Sequence, residues 1–375
     1  MQNFSAGHRM KQMGYHSFEP AQINRQWTID NPRVLEALSH ADRQLGRLDM
    51  FSEYVPNLQL FIQMHVTKEA TLSSRIENTC TEMEEAILPE EEILLERRND
   101  WREVNNYIDA MNDGIAALDQ LPFSNRLLKD AHRTLLKDAR GEHKMPGEFR
   151  SSQNWIGGSS PGNASFVPPS HENVPALMSD LERFAHNEAL HLPPLLKVAL
   201  MHYQFETIHP FLDGNGRMGR LMITLYLVSL GILKKPVLYL SAYLERNRST
   251  YYEHLTNVRE HDTIDDWLLF FLDGIAETAK QGVRTFDQIL NFQKDWEQTI
   301  QSWTQHRTNG IALFRHLFQH PALNAQSVAK AVGVSAPTAY KLVEYFVEQG
   351  ILREITGAKR GKLYLFDPYL KLYRA

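Results

Sequence analysis

The sequence predicts a mainly α-helical fold with few β elements, divided into two or three domains. Apolar residues recur at helical spacing through most of the chain, whereas the glycine, proline and β-branched signals of strands and turns are sparse. The length of 375 residues exceeds that of one typical hydrophobic core, and 43% hydrophobic with 23% charged residues is ordinary for a globular protein. We therefore expect several helical units within one chain.

The composition excludes several classes of protein. Cys80 is the single cysteine, so neither an intramolecular disulfide nor a cysteine-based zinc cluster can form, and we expect a cytoplasmic protein. The first twenty residues lack the apolar region of a signal peptide, and no apolar stretch reaches the length of a membrane span, so no membrane partner is expected. The net charge of −5 argues against a nucleic-acid-binding surface over the whole chain.

The pattern along the chain predicts three regions. Residues 1–104 have the spacing of helices joined by polar turns, and the acidic, proline-interrupted stretch 82–92 predicts a solvated loop or linker. Residues 105–295 form the predicted central domain, near whose start the apolar residues of 101–121 predict a helix. Residues 296–375 differ in composition and form a separate C-terminal region.

The segment HPFLDGNGRMGR, His209–Arg220, carries backbone features suited to binding an anion. Its three glycines allow backbone amides to approach a phosphate closely. The apolar run 221–230 predicts a helix whose positive N-terminal end would point at the same phosphate. The glycines are Gly214, Gly216 and Gly219.

Four charged or titratable side chains complete the segment. His209 has an ordinary pKa that permits proton transfer near neutral pH. Asp213 offers the hard oxygen ligand that Mg²⁺ prefers. Arg217 and Arg220 are three residues apart, so they share one helix face and can reach the same phosphate oxygens. Together these groups are typical of a site for a nucleotide triphosphate.

Two simpler interpretations compete with this one. Residues 214–219 satisfy G-x-G-x-x-G, the dinucleotide fingerprint, which requires a preceding strand and an acidic residue about twenty positions later. Residues 195–205 instead have helical spacing, and residues 236–241 carry no acid. The second interpretation is a helix N-terminus with incidental charges. A histidine, an aspartate and two arginines in this order argue against it.

The segment resembles the motif of the Fic family, H-P-F-x-[DE]-G-N-G-R-x-x-R, and matches it at every defined position. Fic enzymes are mostly protein adenylyltransferases, which move AMP from ATP to a hydroxyl of a target protein. The resemblance implies that His209 is the general base and that Asp213 holds Mg²⁺. It also places Arg217 on the β-phosphate and Arg220 on the γ-phosphate. The other residues of the implied ATP site are Gly214, Asn215, Gly216, Met218 and Gly219.

A second motif lies in the N-terminal region. Residues 73–78, SSRIEN, contain S-x-x-E, which on its own predicts a capping box at a helix start. The apolar residues around them favour a helix that is already running. The segment also resembles the Fic inhibitory motif [ST]-x-x-x-E-[GN], beginning at Ser73. This resemblance implies an inhibitory helix over about 66–78 in which Glu77 pairs with Arg220 and keeps it from the γ-phosphate.

Residues 147–170 are rich in glycine, serine and proline and predict a β-hairpin, with extended residues near 154–156 and 165–167. An ordinary surface hairpin is the simpler interpretation. The region also resembles the Fic flap, which holds an extended target segment through main-chain hydrogen bonds. The flap residues implied are Asn154, Trp155 and Ile156.

Residues 243–257 supply candidates for contact with the adenine ring. Tyr252 is the preferred contact, with Tyr251 and Asn257 nearby. The alternative is that these aromatic residues, which recur at helical spacing, belong to the core.

Residues 311–366 resemble a winged helix, preceded by a connecting helix predicted at 289–303. Its helices are predicted at 323–331 and 336–349, and its strands flank 357–361. The wing tip carries Lys359, Arg360 and Lys362. Such a basic tip can contact DNA phosphates, but the second helix carries one lysine and two glutamates, which favours dimerisation or protein docking.

These motifs predict an autoinhibited protein adenylyltransferase that uses ATP and Mg²⁺. Its implied fold is a Fic helical core with a short β-hairpin flap and a C-terminal winged-helix domain. We expect protein targets with serine, threonine or tyrosine hydroxyls, among them the protein itself, and a homodimer. One alternative is an enzyme that removes AMP, wholly or in both directions, with Glu77 activating water. Another is a nucleotide-sensing transcriptional regulator, against which His209 and Asp213 argue because sensing requires no base.

Overall fold

The fold is mainly helical, as predicted, and the computed structural model describes residues 4–54, 59–358 and 361–374. The helices up to the long α11 are α1 (Pro32–Tyr54), α2 (Gln59–Ile76), α3 (Met83–Ala86), α4 (Arg98–Ala117), α5 (Asn125–Leu135), α6 (Val174–His186), α7 (Pro194–Ile208), α8 (Asn215–Ser229), α9 (Ser241–Arg246), α10 (Arg248–His261) and α11 (Ile264–Gln301). Four more follow: α12 (Arg307–Leu317), α13 (Ala325–Val332), α14 (Ala336–Glu348) and α15 (Asp367–Arg374). The strands are β1 (Gly7–Lys11), β2 (His16–Pro20), β3 (Ala322–Asn324), β4 (Arg353–Glu354) and β5 (Leu363–Leu365).

A β-hairpin precedes the first helix, where only helices and polar turns were predicted. Its strands β1 and β2 pair antiparallel, with Gly7 opposite Pro20. The amide of Phe18 donates a hydrogen bond of 2.8 Å to the carbonyl of Val167, so the hairpin is docked on the predicted flap. Helix α1 then packs along α11 and joins the N-terminal region to the rest of the chain.

The prediction of a solvated loop over residues 82–92 is wrong in part. This stretch contains α3 and a short 3₁₀ turn at Glu90–Glu92. The indole of Trp101 donates a hydrogen bond to the carbonyl of Leu88, and Arg102 pairs with Glu90. Contacts with α4, which composition does not reveal, therefore fold the acidic stretch back onto the domain.

Helices α7 and α8 form the centre of the structure. Residues 195–208 of α7 are all buried, as are most residues of α8, as expected for helices that are apolar on all sides. Helices α2, α4 and α5 pack against α8, and α6 packs against α7. The central pair is therefore enclosed, and the loop that joins its helices is fixed by its neighbours. None of the helices in the described ranges is long and apolar enough to cross a membrane.

The C-terminal elements follow the order predicted for a winged helix. Strands β3, β5 and β4 form one antiparallel sheet in that order, with Tyr364 opposite both Leu323 and Glu354. The helix predicted at 323–331 begins at Ala325 instead, because the side chain of Asn324 caps it by accepting a hydrogen bond of 2.8 Å from the Ser327 amide.

The prediction for the wing tip is only partly covered by the structure. Lys359 and Arg360 lie outside the described residues, and Lys362 is exposed. The connecting helix predicted at 289–303 is the end of α11, so the predicted boundary between residues 295 and 296 lies inside one helix.

Candidate functional site

The loop between α7 and α8 places the predicted base beside a helix N-terminus. His209 ends α7 in the left-handed conformation (φ 51°), and its amide donates to the carbonyl of Phe205. Asn215, the first residue of α8, accepts a hydrogen bond from the Phe211 amide and donates one to the Phe211 carbonyl, each 2.8 Å long. Gly214 has a φ of 75° at the helix N-cap. These features turn the loop back, so that His209 and the first amides of α8 face one cleft.

Arg150, which the sequence analysis missed, holds this loop from behind. Its side chain is buried and donates hydrogen bonds to the carbonyls of His209 (3.0 Å) and Pro169 (2.6 Å). Burial lowers the pKa of Arg150 to about 10, so the guanidinium keeps its charge at neutral pH. Arg150 lies in the segment 147–170, whose interpretation as a flap gave it no function of its own, and its carbonyl partners become adjacent only in the folded chain.

His132, also missed, supports the loop from a second side. The amide of Gly147 donates to its Nδ1 (2.9 Å), so the proton lies on Nε2, which donates to the carbonyl of Asp213 (3.0 Å). The ring stacks on Phe211 with a centroid separation of 3.7 Å. Burial lowers the pKa of His132 to about 4, which keeps the ring neutral and this tautomer in place.

The predicted residues come together around a cleft of about 550 Å³, within the usual range for small-molecule sites. Its walls include His209, Asp213, Gly214, Asn215, Gly216, Arg217, Arg220, Glu77 and Tyr252. Two of the predicted ATP contacts do not border it. Met218 is fully buried, and Gly219 faces α7, where an added Cβ would lie 2.3 Å from the Glu206 carboxylate. Gly219 is therefore explained by the close packing of the two central helices.

The imidazole of His209 has the properties of a general base. Its Nδ1 is buried and has no hydrogen-bond partner within the described part of the chain. Burial lowers the pKa of His209 to about 4, and the carbonyl of Glu206 offsets this only in part. The ring is consequently neutral at pH 7 and can accept a proton from a hydroxyl brought to the cleft.

Asp213 fits the requirements of a ligand for Mg²⁺. Its side chain is 43% exposed at the cleft, and one oxygen accepts a hydrogen bond of 2.6 Å from the Gly214 amide. Over the described ranges, no group of three histidine, cysteine, aspartate or glutamate side chains could hold a metal ion by itself. A single carboxylate is the donor set that suits Mg²⁺ bound mainly by phosphate oxygens and water.

Arg217 is oriented by a carboxylate that the sequence analysis did not single out. One oxygen of Glu103 lies 3.3 Å from the Arg217 guanidinium and also accepts a hydrogen bond of 2.9 Å from Thr79. Its other oxygen pairs with Arg140 at 2.9 Å. The Arg217 side chain is only 6% exposed, so this network fixes the position of its guanidinium at the wall of the cleft.

The second motif lies at the end of α2 and contacts the first. Arg220 donates to the Ser73 hydroxyl (2.8 Å), to the Ser73 carbonyl (2.9 Å) and to a Glu77 carboxylate oxygen (2.8 Å). Burial raises the pKa of Glu77, but the Arg220 guanidinium more than offsets this and holds it below its usual value. The pair is therefore ionised at neutral pH. The capping-box interpretation is wrong, since Ser74 lies inside α2 and not at its start.

The two tyrosines proposed for adenine have different environments. Tyr251 is buried, and its hydroxyl is 2.9 Å from Nε2 of His202, so the core interpretation applies to it. Tyr252 is 40% exposed and borders the cleft, with the Arg248 guanidinium 6.0 Å from its ring centre. A ring that is packed on one side and open on the other suits stacking against a base.

The predicted flap pairs through one antiparallel bridge between Ile156 and Phe166. Trp155 is 39% exposed, and both it and Ile156 border the cleft. Target binding by Asn154 stays a prediction, and the structure gives this residue a supporting function in addition. Its side-chain amide donates to the carbonyls of His209 (3.2 Å) and Phe211 (2.9 Å), so it holds the loop that carries the base.

Comparison with known proteins agrees with this geometry. Residues 35–116 match the Fic/DOC family N-terminal model, and residues 122–227 match the Fic/DOC family model. The chain belongs to the Fic/DOC family.

Among its relatives, the protein adenylyltransferase Fic of Drosophila erecta is 35% identical over 133 residues, which cover 35% of this chain and 24% of that protein. The enzyme of the same name from Drosophila virilis is 35% identical over 170 residues, which cover 44% of this chain and 30% of that protein. The matched stretches thus span less than a third of the length of each of these relatives. A crystal structure of a Fic family protein from Desulfovibrio desulfuricans G20 superposes with a TM-score of 0.58 at 22% identity, covering 91% of this chain and 98% of that one. This likeness supports a shared fold.

Proposed function

We propose that the protein transfers AMP from ATP to a hydroxyl of a protein target and is held inactive by its own helix α2. One observation carries the proposal. The neutral His209, Asp213, Arg217 and the N-terminus of α8 face a single cleft in which Arg220 is occupied by Ser73 and Glu77. The activity of the family's curated relatives supports the same assignment.

In the proposed reaction, the acceptor hydroxyl oxygen attacks the α-phosphorus of ATP while its proton passes to His209. The bond between the α-phosphorus and the oxygen bridging to the β-phosphate breaks, and pyrophosphate leaves with its electron pair. The first amides of α8 have no partners within the helix and are available to phosphate oxygens. Mg²⁺, held by Asp213 when bound, would neutralise charge on the phosphates. Most of the catalysis then comes from position and charge.

The inhibitory contact acts on the γ-phosphate in this proposal. Three of the five N–H groups of Arg220 already donate to Ser73 and Glu77, so the guanidinium cannot offer a phosphate a pair of adjacent donors on two nitrogens. A Cβ on Gly216 would lie 2.1 Å from the Glu77 carboxylate, so this carboxylate reaches the first turn of α8, where phosphates would bind. Glu77 therefore both occupies Arg220 and repels the anion that Arg220 would bind.

We propose that targets dock on the flap as an added strand. The main-chain groups of Ile156 form hydrogen bonds with Phe166. The carbonyl of Val167 accepts a hydrogen bond from the Phe18 amide of the N-terminal hairpin. The open edge is consequently the one at Trp155, which lies beside the base. Main-chain pairing there would present a hydroxyl to His209 without requiring a particular target sequence.

For the C-terminal module we propose a protein-binding function, and with it the predicted homodimer, in preference to DNA binding. Helix α14 exposes Tyr340 (53%) and Val347 (37%) on its surface, which suits a protein interface better than a phosphate backbone.

Cys80 is free and exposed, which suits the reducing cytoplasm that we infer for the reaction.

The transfer is tested with ATP labelled either on the α-phosphate or on the γ-phosphate, mixed with the protein and with cell proteins. Label from the α-phosphate alone should appear on protein, strongly with Glu77→Gly and not with Glu77→Gly/His209→Ala. Peptides that gain the mass of AMP identify the acceptor hydroxyl. Transfer of the γ-label, or binding of ATP without any transfer by Glu77→Gly, would refute the assignment.

Removal of AMP is a second candidate function, because the Glu77 carboxylate is ionised and borders the same cleft as His209. In this direction Glu77 would accept a proton from water as the water oxygen attacks the phosphorus. The bond between the phosphorus and the target's oxygen would break, and that oxygen would leave with the electron pair and take a proton from solvent. AMP-modified target incubated without ATP should then release AMP in the presence of the wild-type protein and retain it with Glu77→Gln. Equal release by both forms would exclude Glu77 as the base.

A further inference from the structure

A cavity of about 250 Å³ lies further toward the N-terminal end of α2 than the catalytic cleft, between α2, α9 and α11. Within the described ranges, no residue borders both this cavity and the cleft. The cavity is therefore a separate space, and one of its walls is the inhibitory helix.

Two nitrogen-bearing side chains on α2 border the cavity without partners. His65 is 7% exposed, and its ring Nε2 is buried with no hydrogen-bond partner among the residues described. Lys68 has no carboxylate within ion-pair distance in the same part of the chain, and burial lowers the pKa of its ammonium group. A buried polar atom without a partner and a partly buried cation without a counter-ion are both costly. An anion in the cavity would compensate the Lys68 charge, and a rotation of the His65 ring would bring its buried Nε2 to the same anion.

The acidic groups around the cavity are already engaged. Glu69 accepts hydrogen bonds from the Ser241 hydroxyl (2.5 Å), the Ser241 amide (3.1 Å) and the Tyr107 hydroxyl (3.2 Å). Glu277 pairs with Arg246 at 2.7 Å at the rim. Lys68 is therefore the charged group on these walls that has neither an ion pair nor a hydrogen bond among the described residues. The remaining walls include the apolar surfaces of Leu72, Val237 and Tyr239.

We propose that this cavity binds a small organic anion, a carboxylate or a phosphate monoester with a short apolar body, and that the bound anion favours the inhibited state. The anionic group would contact Lys68 and His65, and the apolar body would contact Leu72. The cavity volume of about 250 Å³ sets the size of the ligand.

The regulatory effect follows from where the cavity lies, and it rests on the proposed function. His65, Glu69, Ser73 and Glu77 are spaced four residues apart, so they form one line along α2 that runs from the cavity to Arg220. The walls from α9 and α11 meet α2 only when α2 is docked. A ligand that needs all three walls binds the docked state better, and by linkage it stabilises that state.

The test uses butyrate and butyl phosphate as separate probes, with binding followed by ligand-observed NMR. At least one probe should bind wild type and the control Lys280→Met, which removes an exposed α11 lysine outside the cavity. Lys68→Met should lose about tenfold or more in affinity, equivalent to about 1.4 kcal/mol, whereas Lys68→Arg should retain binding. Ala242→Phe, which fills the cavity without changing its charge, should also lose binding. This variant replaces Lys68→Met in the test if Lys68→Met is unstable.

A second measurement separates this inference from the proposed enzyme activity. Probe binding should slow amide hydrogen exchange in residues 59–76 of wild type and Lys280→Met, and leave exchange in Lys68→Met unchanged. Failure of both probes to bind at millimolar concentrations, or equal binding by Lys68→Met, would overturn the site. Binding without slower exchange would overturn the regulatory effect. Binding by a protein that never transfers AMP would leave the site standing and refute the proposed function.

Discussion

Glu77→Gly should raise AMP transfer, because it frees Arg220 for the γ-phosphate. The contact is a charge-assisted hydrogen bond of 2.8 Å to an arginine whose side chain is 1% exposed. Hydrogen bonds to charged groups each contribute about 1.5–3 kcal/mol to the stability of the state that contains them. The Glu77 side chain is 36% exposed and therefore screened in part, so the lower figure applies. About 1.5 kcal/mol corresponds to roughly a tenfold increase in rate.

The assay is the initial rate of α-labelled AMP transfer, to the protein itself and to an added target, for the wild type and four variants. Arg220→Ala should not gain activity, since it removes the phosphate clamp together with the contact. The double variant Glu77→Gly/Arg220→Ala should resemble Arg220→Ala, because both residues act on one contact. Ser73→Ala, which leaves the Glu77 pair intact, should give a smaller gain. An active double variant, or a Glu77→Gly rate equal to wild type, would refute the pairing as the basis of inhibition.

Three further predictions follow from the site. His209→Ala in the Glu77→Gly background should abolish AMP transfer, since the imidazole is assigned to the acceptor hydroxyl. The ATP affinity, measured by calorimetry, should stay unchanged. Transfer near the rate of Glu77→Gly would contradict the assignment. Asp213→Ala should remove the Mg²⁺ dependence of ATP affinity, measured with and without the metal; an unchanged dependence would assign the ion elsewhere. The third concerns stability, because burial lowers the pKa values of His65 and His202 to about 3 and those of His132 and His209 to about 4. Protonation of these rings favours the unfolded chain. Their contribution to the free energy of unfolding is therefore fully present above pH about 6.5 and is lost as the pH falls toward 4. The loss amounts to up to about 1.4 kcal/mol per pH unit for each ring. Urea unfolding at a series of pH values measures it, and a flat profile over this range would contradict the burial of these rings.

The parts of the site that the sequence predicts well are those in which neighbouring residues act together. HPFLDGNGRMGR has its base, carboxylate and arginines within one helix turn and one loop, so short-range geometry alone brings them to a common face. The end of α2 at Ile76, followed by Asn78 with a φ of 66°, lies near the end that the resemblance to the inhibitory motif implied. Helical spacing also predicted the mainly helical fold.

The groups that support the site could not be predicted, because their partners are distant in sequence. Arg150 holds a carbonyl 59 residues away, and His132 holds one 81 residues away. Glu103 meets Arg217 over 114 residues. Each is an ordinary polar residue on its own segment, and its function depends on where the helices pack. The N-terminal hairpin was missed for a similar reason, since its docking on the flap is a tertiary contact.

The inhibitory contact and the phosphate site depend on the same glycine. Gly216 leaves backbone amides open at the start of α8, which is the feature that suits a phosphate. The missing side chain is also what admits the Glu77 carboxylate, because a Cβ would lie 2.1 Å from it. Glu77 and a bound phosphate would therefore compete for one space at the positive end of one helix. In the proposed mechanism, inhibition is the binding of an internal anion, and any change that frees α2 should act by vacating that space.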